Sequence, residues 1–138
     1  MKYIKFETNG TGYRDAFFSS GWRIAFVDYC AAHNDIKSVT YIEKHLETEE
    51  SFLLLKGKAY LITAGKGEKP EQFQATQLQP HILCVVERKE WHVTIFSKDA
   101  EVLIVENAEE SPSLSFSLSK DILGVIYEKI RNEIAEQT

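Results

Sequence analysis

Three side chains able to ligate a metal stand in strand-like sequence: His45, Glu50 and His92, with Glu43 two residues before the first histidine. They fall in two blocks, residues 41–57 (YIEKHLETEESFLLLKG) and residues 78–107. Imidazole nitrogen with carboxylate oxygen suits zinc, iron(II), manganese or nickel, and two histidines with one carboxylate on a single face is the arrangement of iron oxygenases. Side chains at i and i+2 share a face of a strand. Glu43 and His45 therefore point with Tyr41, Glu50 with Phe52 and Leu54, and His92 with Thr94 and Phe96, opposite Trp91, Val93 and Ile95. If these three strands are neighbours, His45, Glu50, His92 and Glu43 converge inside.

Other readings stand beside this one. Glu43 equally suits a hydrogen-bond partner that orients His45. Glu50 lies close to Glu47 and Glu49, as one more charge of a solvated turn would. His33 and His81 read as surface turn residues. Trp91 reads as core or subunit interface rather than as a platform for substrate. Tyr60, Arg23 and Lys58 could meet an anionic substrate. The sequence has no Ser/His/Asp or Cys/His nucleophile arrangement and no glycine-rich phosphate loop.

The elements that must hold these residues are mostly short strands. Residues 22–30, 38–45, 51–57, 58–64, 73–78, 82–86, 91–96 and 100–106 are β-branched, aromatic or alternating, and their spacing suggests a sandwich or barrel. Residues 3–6 read as a further strand before a turn at residues 9–12. Segments apolar on both faces, such as Phe52-Leu-Leu-Leu and Val102-Leu-Ile-Val, predict sheets covered on both sides. The tail differs. Ile122, Leu123, Ile126, Tyr127, Ile130 and Ile134 recur at helical spacing, which predicts one helix over about 119–136 with Ser119 as N-cap. Residues 108–119 form a serine-rich linker whose Leu114 and Phe116 should hold it down on the protein.

At 138 residues the chain is expected to be a single domain with a real hydrophobic core. A net charge of −5 argues against nucleic-acid and anionic-membrane partners, which need a basic face. No apolar run reaches the roughly 20 residues of a membrane span, and the charged N-terminus lacks the pattern of a signal peptide. Cys30 and Cys84 have no CxxC spacing and read as reduced thiols among apolar neighbours. A cytoplasmic protein is the expectation.

The motif residues also carry a resemblance. His45-x4-Glu50-x6-Gly57 resembles the first motif of the cupins, and residues 78–92, ending in Trp91-His92, resemble the second. The likeness covers roughly residues 38–107 and extends to the closing VLIVEN, a look shared by small single-domain bacterial cupins. It implies an all-β fold, the double-stranded β-helix or jelly roll, here followed by the C-terminal α-helix. It implies His45, Glu50 and His92 as ligands of a divalent transition metal (zinc, iron, manganese or nickel) in the mouth of the barrel. This chain departs from the pattern at identifiable places. Glu43 stands where a second histidine is usual, His81 where a glycine is usual, and Glu87-Arg88-Lys89 replaces a Pro-x-Gly turn. Phe96 stands where asparagine is common.

Together these observations set up three expectations about function. The first is a metal-dependent enzyme of isomerase, lyase or oxygenase type, acting on a sugar or small organic acid, with Glu43 as the catalytic proton shuttle. The second is a metal- or ligand-binding sensor module without turnover. The third is an accessory subunit docking through the tail helix. A small-molecule ligand and a homodimer are the expected partners.

Overall fold

A computed structural model describes residues 1–109 and 111–135, with side chains through Arg131. The strands are β1 (Tyr13–Ser19), β2 (Trp22–Asp28), β3 (Tyr41–His45), β4 (Glu50–Lys56), β5 (Ala59–Thr63), β6 (Gln74–Gln77), β7 (Cys84–Val86), β8 (His92–Phe96), β9 (Glu101–Glu106) and β10 (Ser113–Ser117). One helix, α1 (Lys120–Ala135), follows them. The strands form two five-stranded sheets, ordered β1-β2-β9-β4-β7 and β10-β3-β8-β5-β6. Every pairing is antiparallel. From β3 to β5 and again from β6 to β10 the chain crosses between the sheets at each connection. That alternation winds the double-stranded β-helix.

Two hydrophobic clusters account for the doubly apolar β5. Strands β4 and β9, expected to be covered on both faces, bury only their inner faces fully: Leu53, Leu103 and Val105 are half-buried and Leu55 is exposed. Phe52, Leu54, Ala59, Leu61, Phe96, Val102 and Ile104 belong to the core between the inner faces of the sheets. Their strand neighbours Tyr60, Ile62 and Ile95 belong to a second cluster with Ile42, Trp91, Ile126 and Ile130. Helix α1 therefore covers the outer face of the β10-β3-β8-β5-β6 sheet, and β5 is buried on both sides. Ser119 caps the helix as expected, its Oγ accepting from the Ile122 N–H at 3.2 Å. Ile126 and Ile130 are fully buried, Ile122 and Leu123 partly so, and Tyr127 is exposed. The expected Ile134 side chain and residue 136 lie outside the described residues.

Two local expectations are corrected and a third is made more specific. Residues 3–6 are not a strand: Phe6 instead stacks on Phe26 at 4.5 Å and Lys2 lies over Phe17, so the segment rests on the outer face of the first sheet without ladder bonds. The first strand is β1, irregular between Asp15 and Phe17 where the register shifts. The serine-rich linker does lie down, and it does so as the edge strand β10, paired along its length with β3.

Gly57 closes the β4–β5 turn at φ 73°. A Cβ there would sit 2.7 Å from both the Cα and N of Ala100, so only glycine lets the two turns pack back to back. The two departures from glycine are equally informative. His81 at φ 68° and Lys89 at φ 66° both occupy the left-handed region, so the turns persist without the residue that adopts them most easily.

Candidate metal centre

His45 ends β3 and Glu50 begins β4, so the crossing between the sheets places them side by side. That crossing is held by backbone bonds. The N–H of Leu46 donates to the Pro112 carbonyl at 2.8 Å, and the N–H of Lys89 to the His45 carbonyl at 2.7 Å. His92 opens β8 in register with Glu43 of β3 and Thr63 of β5. Glu50 pairs across its sheet with Glu106, at the end of β9. The four sequence-predicted residues are thus brought together at one end of the barrel. Strand parity holds for each of them.

Glu50 is the hub. Its Oε2 lies 3.2 Å from His45 Nε2 and 3.1 Å from His92 Nε2, and the two rings are 5.3 Å apart. Glu43 Oε1 is more distant, 3.9 Å from His45 Nε2. Glu50 and His92 are buried, whereas His45 and Glu43 are half-buried. The other ring nitrogen of His92, Nδ1, meets the Glu90 carbonyl at 2.9 Å. A carbonyl only accepts, so Nδ1 carries a proton and donates. Nε2 of a neutral ring would then face the Glu50 carboxylate lone pair to lone pair. The 3.1 Å contact therefore needs either a proton between the two atoms or a metal ion.

The electrostatics follow from this hub. Burial would raise the Glu50 carboxyl, but hydrogen bonds from His45 and His92 outweigh it and hold the group at about 2. The hydrogen bond to Glu50 raises His45 above the ordinary imidazole value, against the effect of burial. Burial pulls His92 down, yet the bond and charge of Glu50 leave it raised as well.

Glu106 is the residue that sequence reasoning missed. One ligand atom each of His45, Glu50 and Glu106 lies within 4.8 Å of the others, and the same is true of Glu43, His45 and His92. Burial first, then the charge of Glu50, raises the Glu106 carboxyl. Tyr13 donates its hydroxyl to Glu106, and Arg23 clamps it at 2.9 and 3.0 Å. The signal was available in parity, since Glu106 shares the inward face of Val102 and Ile104. Its pairing with Glu50 was not, because that depends on β9 lying beside β4.

Donor chemistry fits a transition-metal dication, and the two Nε2–Oε2 distances fall in the range of about 3.0–3.4 Å expected between ligand atoms about 2.1 Å from one ion. With Arg23 compensating Glu106, Glu43 and Glu50 leave two negative charges that a dication would balance.

Glu43, Glu50 and His92 line a cavity of about 410 Å³ between the sheets. His33 is an exposed turn residue as expected, and it also borders this cavity. Tyr60, Arg23 and Lys58 do not line it. Tyr60 lies in the cluster beneath α1, and Arg23 is engaged by Glu106. Trp91 is core: it is buried on the helix-covered face, its Nε1 donates to Gly67 O at 2.9 Å, and Lys44 Nζ sits 4.7 Å above the ring. Cys30 and Cys84 are free and partly buried. No described helix is long and apolar enough to cross a membrane.

No protein-family model matches the chain. No curated protein matches it in sequence. Solved structures do match in shape. A cupin-2 domain protein from Shewanella frigidimarina is 14% identical, over 73% of this chain and 84% of that one, with a TM-score of 0.52. KdgF from Halomonas sp. is 10% identical over 79% and 90%, with a TM-score of 0.53. HppE in its cobalt(II) form with substrate is 16% identical over 77% of this chain and 57% of that chain, with a TM-score of 0.51. The chain has the double-stranded β-helix fold of the cupins.

Proposed function

We propose that the chain binds one divalent transition metal ion (zinc, iron, manganese or nickel) through His45, Glu50 and His92, and acts on a small polar molecule held in the adjoining cavity. The observation that carries this is the shared Glu50 oxygen, set against two imidazole Nε2 atoms at distances a metal ion would bridge. Two protonated rings 5.3 Å apart repel each other, whereas one dication satisfies both nitrogens and the carboxylate at once. When bound, the ion would supply Lewis acidity to a carbonyl or hydroxyl oxygen of the ligand. Glu90 orients His92 through its carbonyl, and the Lys89 N–H anchors the backbone of His45. Glu43 faces the cavity beside both histidines, where its carboxylate can take a proton from one ligand carbon or oxygen and return it to another. This reading is an isomerase-, lyase- or oxygenase-type enzyme. The sensor reading is favoured by one observation, the more distant carboxylate of Glu43 where a third imidazole would complete the set.

Cobalt(II) titration of metal-free protein tests the proposal. Visible absorption bands saturating at about one ion per chain are expected, absent in His45→Ala. Saturation unchanged in that variant would remove His45 from the site. Dimerisation belongs to the same proposal, and its support is the exposed Leu55, Ile82, Leu83 and Val85 around β4 and β7.

A further inference from the structure

The wall of the cavity carries an asymmetry of charge. Its polar lining is rich in hydroxyls, among them Thr11, Ser38, Thr40, Tyr41 and Thr94. Its acidic groups are the carboxylates Glu43 and Glu50, its imidazoles are His33 and His92, and among the described residues no lysine or arginine lines it. The basic side chains on neighbouring strands are engaged elsewhere. Arg23 shares the inner face of β2 with Ala25 and Val27 but is committed to Glu106, and to Asp15 at 3.8 Å. Lys44 lies on the opposite face of β3, donating to Gly67 O at 2.8 Å. Asn34, also in the lining, already has both ends of its amide engaged, by the Cys30 N–H and the Asp28 carbonyl.

A carboxylate or phosphate entering this space would lose hydration and meet two fixed negative charges with no guanidinium or ammonium to pair with. With the dication of the proposed function in place, Glu43 and Glu50 are just balanced, and an added anion would leave the enclosed centre negative. Neutral hydroxyl groups have the opposite experience. Each can donate to a glutamate and accept from the hydroxyl of Thr40, Tyr41 or Thr94, whereas Ser38 and Thr11 already donate to the Asp35 carbonyl and Asn9. We infer that the cavity takes an uncharged, hydroxyl-rich small molecule, a polyol or neutral sugar in chemical class, and rejects the corresponding acids. The inference rests on the metal-site reading for its charge balance.

The test uses tag-free full-length protein whose metal content is measured first. Matched pairs differing in one group are titrated by protein-observed NMR: glycerol with glycerate, xylose with xylonate, and glucose with glucuronate. The expected result is concentration-dependent shifts of the Thr11, Thr40 and Thr94 amides with the neutral members, and binding of the acids at least about tenfold weaker. Thr94→Lys, which adds a cation to the wall, is expected to reverse that preference within each pair. Acids binding as tightly as their neutral partners to metal-loaded wild type, or no cavity shift from any neutral member, would overturn the inference while leaving the metal site intact. Protein that takes up no metal would overturn the underlying reading and this inference with it.

Discussion

Replacing Glu50 by glutamine keeps the shape of the hub and removes its charge. The size of the effect on metal-free protein follows from the site. His45 and His92 hold the Glu50 carboxyl at about 2 instead of 4.5, which corresponds to about 3 kcal/mol of favourable interaction. The sign runs in two directions. The depressed carboxyl contributes stability that is present above its ordinary value and lost as pH falls from 4.5 toward about 2. The raised imidazoles contribute stability that is full below their ordinary value of 6.5 and lost as pH rises through their elevated values. Metal-free wild type should therefore be best supported near pH 6. There Glu50→Gln should lose about 3 kcal/mol, which moves a urea midpoint by about 1–3 M at typical slopes. As pH rises through the elevated imidazole values the rings lose their protons and the buried carboxylate its cationic partners, so the gap should be smaller at pH 9 than at pH 6. Urea unfolding in EDTA, followed by tryptophan fluorescence at both pH values, makes the comparison. An equal loss at pH 6 and pH 9 would refute the coupling between Glu50 and the two histidines.

Three further outcomes are expected. Gly57→Ala combines a left-handed backbone, about 1–2 kcal/mol, with a clash against the Ala100 backbone, about 1–3 kcal/mol, whereas Gly21→Ala at φ 83° meets nothing within 4 Å and should show the first effect alone. Thermal unfolding of both separates the contributions, and equal losses would contradict the packing argument. Ile126→Ala empties a fully buried site beneath α1 and should cost about 2–5 kcal/mol without altering metal content, since the helix covers the face opposite the site. Lys89→Val puts a β-branched residue at φ 66°; a stability loss of about 1–3 kcal/mol is expected in denaturant titrations, together with shifts in the His45 ring resonances because the Lys89 N–H holds the His45 carbonyl.

Most of the barrel was legible in the sequence because its strands are buried on at least one face and alternate visibly. The strands that escaped are edge strands. β10 reads Ser-Leu-Ser-Phe-Ser, a clean alternation in a composition suggestive of a loop, and only its pairing with β3 makes it a strand. β1 interrupts its own period where the register shifts between Asp15 and Phe17. Residues 3–6 have a strand-like composition but no neighbour with which to form a ladder. His45, Glu50 and His92 were readable from motif spacing and parity, while Glu106 needed the order of strands in space. The charge of the cavity wall was hidden for a similar reason, since the faces of β2 and β3 that carry Arg23 and Lys44 are sorted only by tertiary pairing.

Elemental analysis of protein produced without a metal-affinity tag, wild type beside His92→Ala, tests whether the His45–Glu50–His92 site holds metal. About one transition-metal ion per chain is expected in the wild type, lost from a variant that keeps its β-sheet circular dichroism. Wild type purified free of metal after expression in metal-supplemented medium, or equal metal in both proteins, would contradict metal binding there.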